Sequence, residues 1–209
     1  MKIRTVLFVV GLAGVIASCI PSLYPLYRPR DLLMDERLEG LFETGEKDYW
    51  KIRRLDPGFE KLKGEWRQYN SGYTYKLSVR EEGEMEEFAL HLLKLGEDLY
   101  LDFFPVDYDI RHEFLDMHLV PTHIFAKVEL TGQALIIHFF DIEWLEDLID
   151  EKRIKISHVE LQDRYLLSAK TEELQKFITK FANDSTTFIE CDTLRRQEDP
   201  VELSSLTLP

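Results

Sequence analysis

The sequence is poor in cysteine, with two residues, Cys19 and Cys191, in 209. One pair cannot build the disulfide framework that holds many small secreted domains, and if Cys19 is consumed by modification no intramolecular disulfide is expected. Basic residues are also scarce, 26 Lys and Arg against 39 Asp and Glu, which gives a net charge of -13. A phosphate backbone would be repelled by most of such a surface, so nucleic acid is not expected as a partner. Long hydrophobic runs are missing too. The apolar run over 6–17 has 12 residues, whereas a membrane-spanning helix needs about 20 at about 1.5 Å rise each. The chain holds no C-x-x-C, no G-x-S-x-G, no Gly-rich phosphate loop, no internal repeat and no low-complexity tract. No nucleophile or phosphate-cradling arrangement is therefore written in it, and no cofactor is expected.

What is present is the composition of a globular chain, with 44% hydrophobic and 12% aromatic residues, and a length that can bury one core of ordinary size. The N-terminus has the three-part layout of a secretory signal: Lys2 and Arg4, the apolar run, then small residues before a cysteine. Ile16-Ala17-Ser18-Cys19 resembles the bacterial lipoprotein lipobox, in which an aliphatic residue and two small ones precede an invariant Cys. Ser18 stands where Gly or Ala is commonest. The resemblance implies cleavage before Cys19, acylation of its sulfur (palmitate among the chains), and a lipid-anchored protein on the extracytoplasmic side of a bacterial cell envelope. Each buried CH₂ contributes about 0.8 kcal/mol, so two or three chains hold a protein almost permanently. Loss of Lys2 and Arg4 leaves 24 basic residues against 39 acidic ones, net -15, so attachment would depend on the lipid and not on a basic patch.

This reading divides the chain into a signal peptide over 1–18, a lipidated Cys19 with a Pro-rich tether over 19–36, one β-rich domain over 37–191 and a flexible tail over 192–209. Pro21, Pro25 and Pro29 favour extended backbone that would lift the domain roughly 30 Å from the bilayer. Leu23, Tyr24, Leu26 and Tyr27 are unusual in a solvated spacer, and the alternative is that they dock on the domain. Past residue 36, apolar stretches alternate with turn signals. The pattern predicts strands over 38–44, 49–55, 64–69, 73–80, 86–95, 99–104, 124–130, 134–140, 154–161, 164–169 and 186–190. Hairpins are expected at Gly96-Glu97-Asp98, Thr131-Gly132-Gln133 and Gln162-Asp163, and the acidic run over 81–87 reads as a solvated hairpin tip. Helices are expected after Asp141 and Thr171 as N-caps, the second carrying Leu174, Phe177, Ile178 and Phe181 on one face. The fold class is α+β, mainly β: a curved antiparallel sheet or barrel with two packed helices.

Candidate chemistry is concentrated over 107–123, which holds Asp107, Asp109, His112, Glu113, Asp116, His118 and His123. His112-Glu113 lacks the second His at i+4 that places two imidazoles on one helix face, since His118 follows six residues on. A loop-borne metal site using His112 and His118 stands against a plain solvated loop, and His123 against an ordinary hydrogen-bonded structural imidazole. Trp66, Tyr69, Tyr73 and Tyr75, with His118 and His123 nearby, are candidates to line a ligand cavity, because small apolar ligands are held in the mouths of β-barrels. The alternative is plain core, aromatics being enriched in strands.

Several spaced phrases, among them Leu38-Glu39-Gly40-Leu41-Phe42, Phe88-Ala89-Leu90-His91-Leu92, His118-Leu119-Val120-Pro121-Thr122-His123 and Glu143-Trp144-Leu145, are together similar to a group of bacterial lipoproteins of unknown function. That family supplies no catalytic residues. A second similarity is to lipocalin-like barrels, whose opening strand carries Gly-x-Trp. Here Gly40-Leu41-Phe42 has Phe in the aromatic place, and Gly64-Glu65-Trp66 has the letters later. The expected function is binding, of a small apolar molecule or of an envelope protein. The competing reading is a metal-dependent or hydrolytic envelope enzyme built on 107–123.

Overall fold

The computed structural model describes residues 19–44, 48–55, 72–81, 83–107, 118–161, 164–189 and 192–197. Its centre is a closed barrel of eight antiparallel strands. The barrel strands are β3 (Gly40–Glu43), β4 (Tyr49–Arg54), β5 (Thr74–Glu81), β6 (Glu84–Leu95), β7 (Asp98–Asp107), β8 (His123–Leu130), β9 (Ala134–Phe139) and β12 (Asp192–Gln197). Each pairs with the next in chain order, and β12 lies between β9 and β3 to complete the ring. The period-two pattern dictates the two faces. Phe42, Trp50, Ile52, Tyr75, Leu77, Leu90, Leu92, Leu101, Phe103, Ala126, Val128, Leu135, Ile137 and Leu194 meet inside as one core.

Among the described residues, four further strands and two helices lie outside the ring. β1 (Pro21–Ser22) runs antiparallel to the His123–Ile124 stretch of β8 and parallel to β11 (Arg164–Leu167), which pairs in turn with β10 (His158–Leu161). β2 (Leu32–Leu33) takes the edge of β6 at Leu92 and Leu93, beyond the last β5 partner at His91. Helices α1 (Ile142–Asp150) and α2 (Thr171–Phe181) cover the outer face of β6–β8. There Leu145, Leu174, Phe177 and Ile178 join Leu93, Leu95, Tyr100, Phe125 and Phe140 in a second core, completed by Ile20, Leu26 and Leu32 of the N-terminal segment.

The mainly-β class, the hairpins around residues 96 and 132 and both helices agree with expectation. Asp141 caps α1 through its side chain, which accepts from the Glu143 amide at 2.9 Å. The Thr171 hydroxyl is not a cap. The N-cap of α2 is Lys170, and Thr171 Oγ1 instead donates to the Pro25 carbonyl at 2.8 Å. The turn Gln162-Asp163 and the expected strand over 64–69 lie outside the described residues.

Three boundaries differ from expectation. Residues 19–36 are packed instead of standing off as a tether: Ile20, Ser22, Leu26 and Leu32 are buried. Of the four odd apolar residues, Leu26 is fully buried, Leu23 and Tyr27 are half-buried and Tyr24 is exposed. Proline does not prevent this, because the segment needs only a two-residue pairing and side-chain hydrogen bonds to satisfy its backbone. Residues 192–197, expected to be frayed, form the closing strand β12. Its one buried apolar residue, Leu194, is too little for a period-two signal; the free edges of β3 and β9 supply the partners. Residues 154–157 and 186–189 are not strands, and residue 190 lies outside the described residues. Ser185–Thr187 is a 3₁₀ turn and Phe188 makes one isolated bridge to Phe140. Among the described residues Cys19 is buried and forms no disulfide.

Candidate functional site

One end of the barrel is sealed from within. The turn Glu36–Leu38 is started by Asp35, whose carboxylate accepts from the Arg37 amide at 2.9 Å. It sends Leu38 into the barrel core, with Leu33 and Met34 packed beside it. The Tyr75 hydroxyl accepts from the Asp35 amide at 2.7 Å and donates to the Asp35 carbonyl at 3.2 Å, fixing this plug to the barrel wall. Arg196 of β12 completes the seal. Its guanidinium lies 4.7 Å from the centroid of the Phe42 ring and donates to the carbonyls of Arg37, Glu39 and Gly132.

The other end is an aromatic tier. Trp50 meets the edge of Phe103 at 5.8 Å between centroids, and Phe103 meets Phe139 at 6.0 Å. Trp50 and Phe103 keep 7% and 8% exposure, against 0% for Phe42, Ile52 and Tyr75 deeper in the barrel. Val79, Phe88 and Phe139 at this tier are half-buried. The Trp50 indole N–H is buried and has no hydrogen-bond partner among the described residues. Such an orphan donor costs about 1–3 kcal/mol, so its presence inside an apolar barrel requires an explanation.

A second polar cluster lies on the outer wall beneath the strap formed by residues 20–28. The alternation of β7 and β8 turns Asp102 and His123 outward, and His123 Nδ1 sits 2.7 Å from Asp102 Oδ1. The other carboxylate oxygen, Oδ2, accepts from the Leu26 amide at 2.7 Å. Asp102 is fully buried, and its cross-strand partner on β6 is His91. His91 Nε2 lies 3.0 Å from Thr74 Oγ1, the Tyr27 ring covers the imidazole at 4.3 Å, and Nδ1 is buried with no partner. Burial lowers the His91 pKa from 6.5 to about 4, against the pull of the Asp102 carboxylate and with a small push from His123. Burial, then Asp102, push the Tyr27 hydroxyl up. The far end of the strap is held by Gln175 of α2, which donates to the Leu26 carbonyl (2.8 Å) and Asp31 Oδ2 (2.7 Å) and accepts from Arg28. Burial would raise the Asp31 carboxyl, but the hydrogen bonds from Gln175 and Arg28, with the Arg28 charge, hold it below its ordinary range.

The structure separates the residues singled out from the sequence. Tyr75 is inside the barrel as part of the plug contact, Tyr73 is exposed beside it in sequence, and His123 is on the opposite side of the wall. His118 is exposed. Trp66, Tyr69 and His112 lie outside the described residues. Among the described residues no group of three or more His, Cys, Asp or Glu comes together to hold a metal. Trp50, His91 and Asp102 were missed. Each sits in an otherwise ordinary strand pattern, and the only available signal was a polar residue on a face whose neighbours, Leu93 and Tyr100, are apolar. No protein-family model, curated protein or solved structure matches this chain.

Proposed function

We propose that the protein is a lipid-anchored, extracytoplasmic binding module that takes a small, largely apolar ligand at the aromatic tier of its barrel. Eight strands give an interior that side chains just fill or that holds one small ligand. Among the described residues a plug closes one end and exposure rises toward the aromatic tier at the other. The observation that carries the reading is the unpartnered Trp50 N–H: a ligand with an apolar body and one hydrogen-bond acceptor would satisfy it. A lipocalin-like reading rests on the closed eight-stranded barrel and on Gly40-Leu41-Phe42 as its opening strand. For the anchor, the support remains the lipobox-like Ile16-Ala17-Ser18-Cys19. Among the described residues no helix is long and apolar enough to cross a membrane.

Titration with a fluorescent fatty acid tests the ligand reading. We expect saturable 1:1 binding that Trp50→Phe weakens at least 5-fold, because Phe keeps the ring and deletes the donor. Absence of 1:1 binding, together with no co-purified molecule in native mass spectrometry, overturns it. Labelled palmitate on the wild-type chain but not on Cys19→Ser tests the anchor separately. An unlabelled wild type overturns the anchor and leaves the ligand reading standing.

A further inference from the structure

The chain from Ile20 to Arg28 has a composition suited to an extended spacer, yet it is fastened to the outer wall of the barrel, to β11 and to α2. Those fastenings converge on one buried polar cluster. Asp102 has one oxygen on His123 and the other on the Leu26 amide, so the same carboxylate serves wall and strap. The Tyr27 ring lies over His91 with centroids 4.3 Å apart and planes tilted by 31°, and His91 Nδ1 has no hydrogen-bond partner among the described residues. A buried imidazole nitrogen without a partner is costly, and the Tyr27 ring of the strap covers the imidazole that carries it.

We propose that residues 20–28 form a proton-sensitive clasp: docked on the wall when His91 is neutral, and released as an extended segment when His91 takes a proton. Among the described residues, the groups facing His91 are Asp102 from β7, His123 from β8, Tyr27 from the strap and the neutral Thr74 from β5. The Arg28–Asp31 pair and neutral Gln175 of α2 hold the strap just beyond Tyr27. With the strap docked, a proton on His91 is opposed by loss of water. With the strap lifted, Nδ1 meets solvent and the imidazole returns toward its ordinary value. Protonation therefore favours the lifted form, and the docked form is at full strength above about pH 6.5 and weakens as pH falls toward 4. The clasp is independent of the ligand reading. Its consequence for membrane distance rests on the anchor at Cys19: release would convert a barrel held close to the bilayer into one on a spacer of roughly 30 Å.

Hydrogen–deuterium exchange of the full chain in detergent, corrected for the intrinsic pH dependence of amide exchange, provides the test. Between pH 7.5 and pH 5 we expect protection across 20–28, the Leu26 amide included, to fall by roughly 30-fold, the ratio set by values of 6.5 and about 4. Amides of β6 and β7 should keep their protection. His91→Gln, which retains an acceptor for Thr74, should abolish the pH response, and Asp102→Asn should loosen the strap at both pH values. Strap protection that is equal at the two pH values, that falls together with β6 and β7, or that falls equally in His91→Gln overturns the proposal.

Discussion

The guanidinium of Arg196 occupies the space that a β-carbon on residue 40 would fill. Gly40 has φ +148°, and a Cβ built there would stand closer than 3.0 Å to Arg196 Nη1. The backbone conformation calls for glycine, and a side chain there would also have to push the guanidinium aside. The contact also explains an aromatic residue two positions later, because the same guanidinium continues over the Phe42 ring.

Gly40→Ala is expected to destabilise the fold by about 2 kcal/mol, from backbone strain and displacement of the arginine. Arg196→Met is expected to cost a similar amount, since it removes a cation–π contact and strips three carbonyls of their donor. The double variant should cost less than the sum, because the alanine then has nothing to displace. Urea unfolding of the four proteins measures all three quantities, and strict additivity would contradict the shared-space account.

Trp50→Phe carries a prediction of opposite sign. Removing an indole N–H that has no partner should leave the ligand-free protein as stable as the wild type or up to about 1 kcal/mol more stable, despite the lost volume. A loss above about 2 kcal/mol in thermal or urea unfolding would mean that the donor is satisfied in solution.

Gln175 is the one buried polar side chain on α2. Gln175→Leu keeps the bulk but leaves the Leu26 carbonyl and Asp31 short of a donor, so a cost of roughly 2–3 kcal/mol is expected. The effect should be concentrated in the strap, with trypsin cleavage after Arg30 rising before the barrel amides lose protection.

Global stability should also follow pH. The folded-state value of His91, about 4, lies below the 6.5 of an exposed imidazole, so the unfolded chain binds the proton first. Stability is complete above about pH 6.5 and declines as pH falls through 4, by at most roughly 3 kcal/mol from this residue at 1.36 kcal/mol per unit. Urea midpoints from pH 8 to pH 4 should show that decline, and His91→Gln should flatten it.

The barrel was legible wherever apolar residues alternate under their own hairpin turns, as in Phe88, Leu90 and Leu92 before Gly96, or Ala126 and Val128 before Gly132. It was not legible where pairing is imposed from a distance. Asp192–Gln197 has a single buried apolar side chain and becomes a strand because β3 and β9 both lack a neighbour without it. The proline-containing strap reads as solvated because each of its fastenings, Leu26 to Asp102 and Gln175 or Pro25 to Thr171, reaches a residue more than seventy positions away. The Trp50 donor and the His91 nitrogen are defined by what does not touch them, and local sequence contains no mark of that.

The ring closes between segments 157 positions apart, Glu39 and Arg196. A chain delivered amino end first must therefore hold seven strands as an open, curling ribbon with both rims bare until residues 192–197 arrive. Such a ribbon is vulnerable to pairing with a neighbour and slow to finish. The barrel therefore stays unlocked until its last strand pairs on both sides, a latency set by topology.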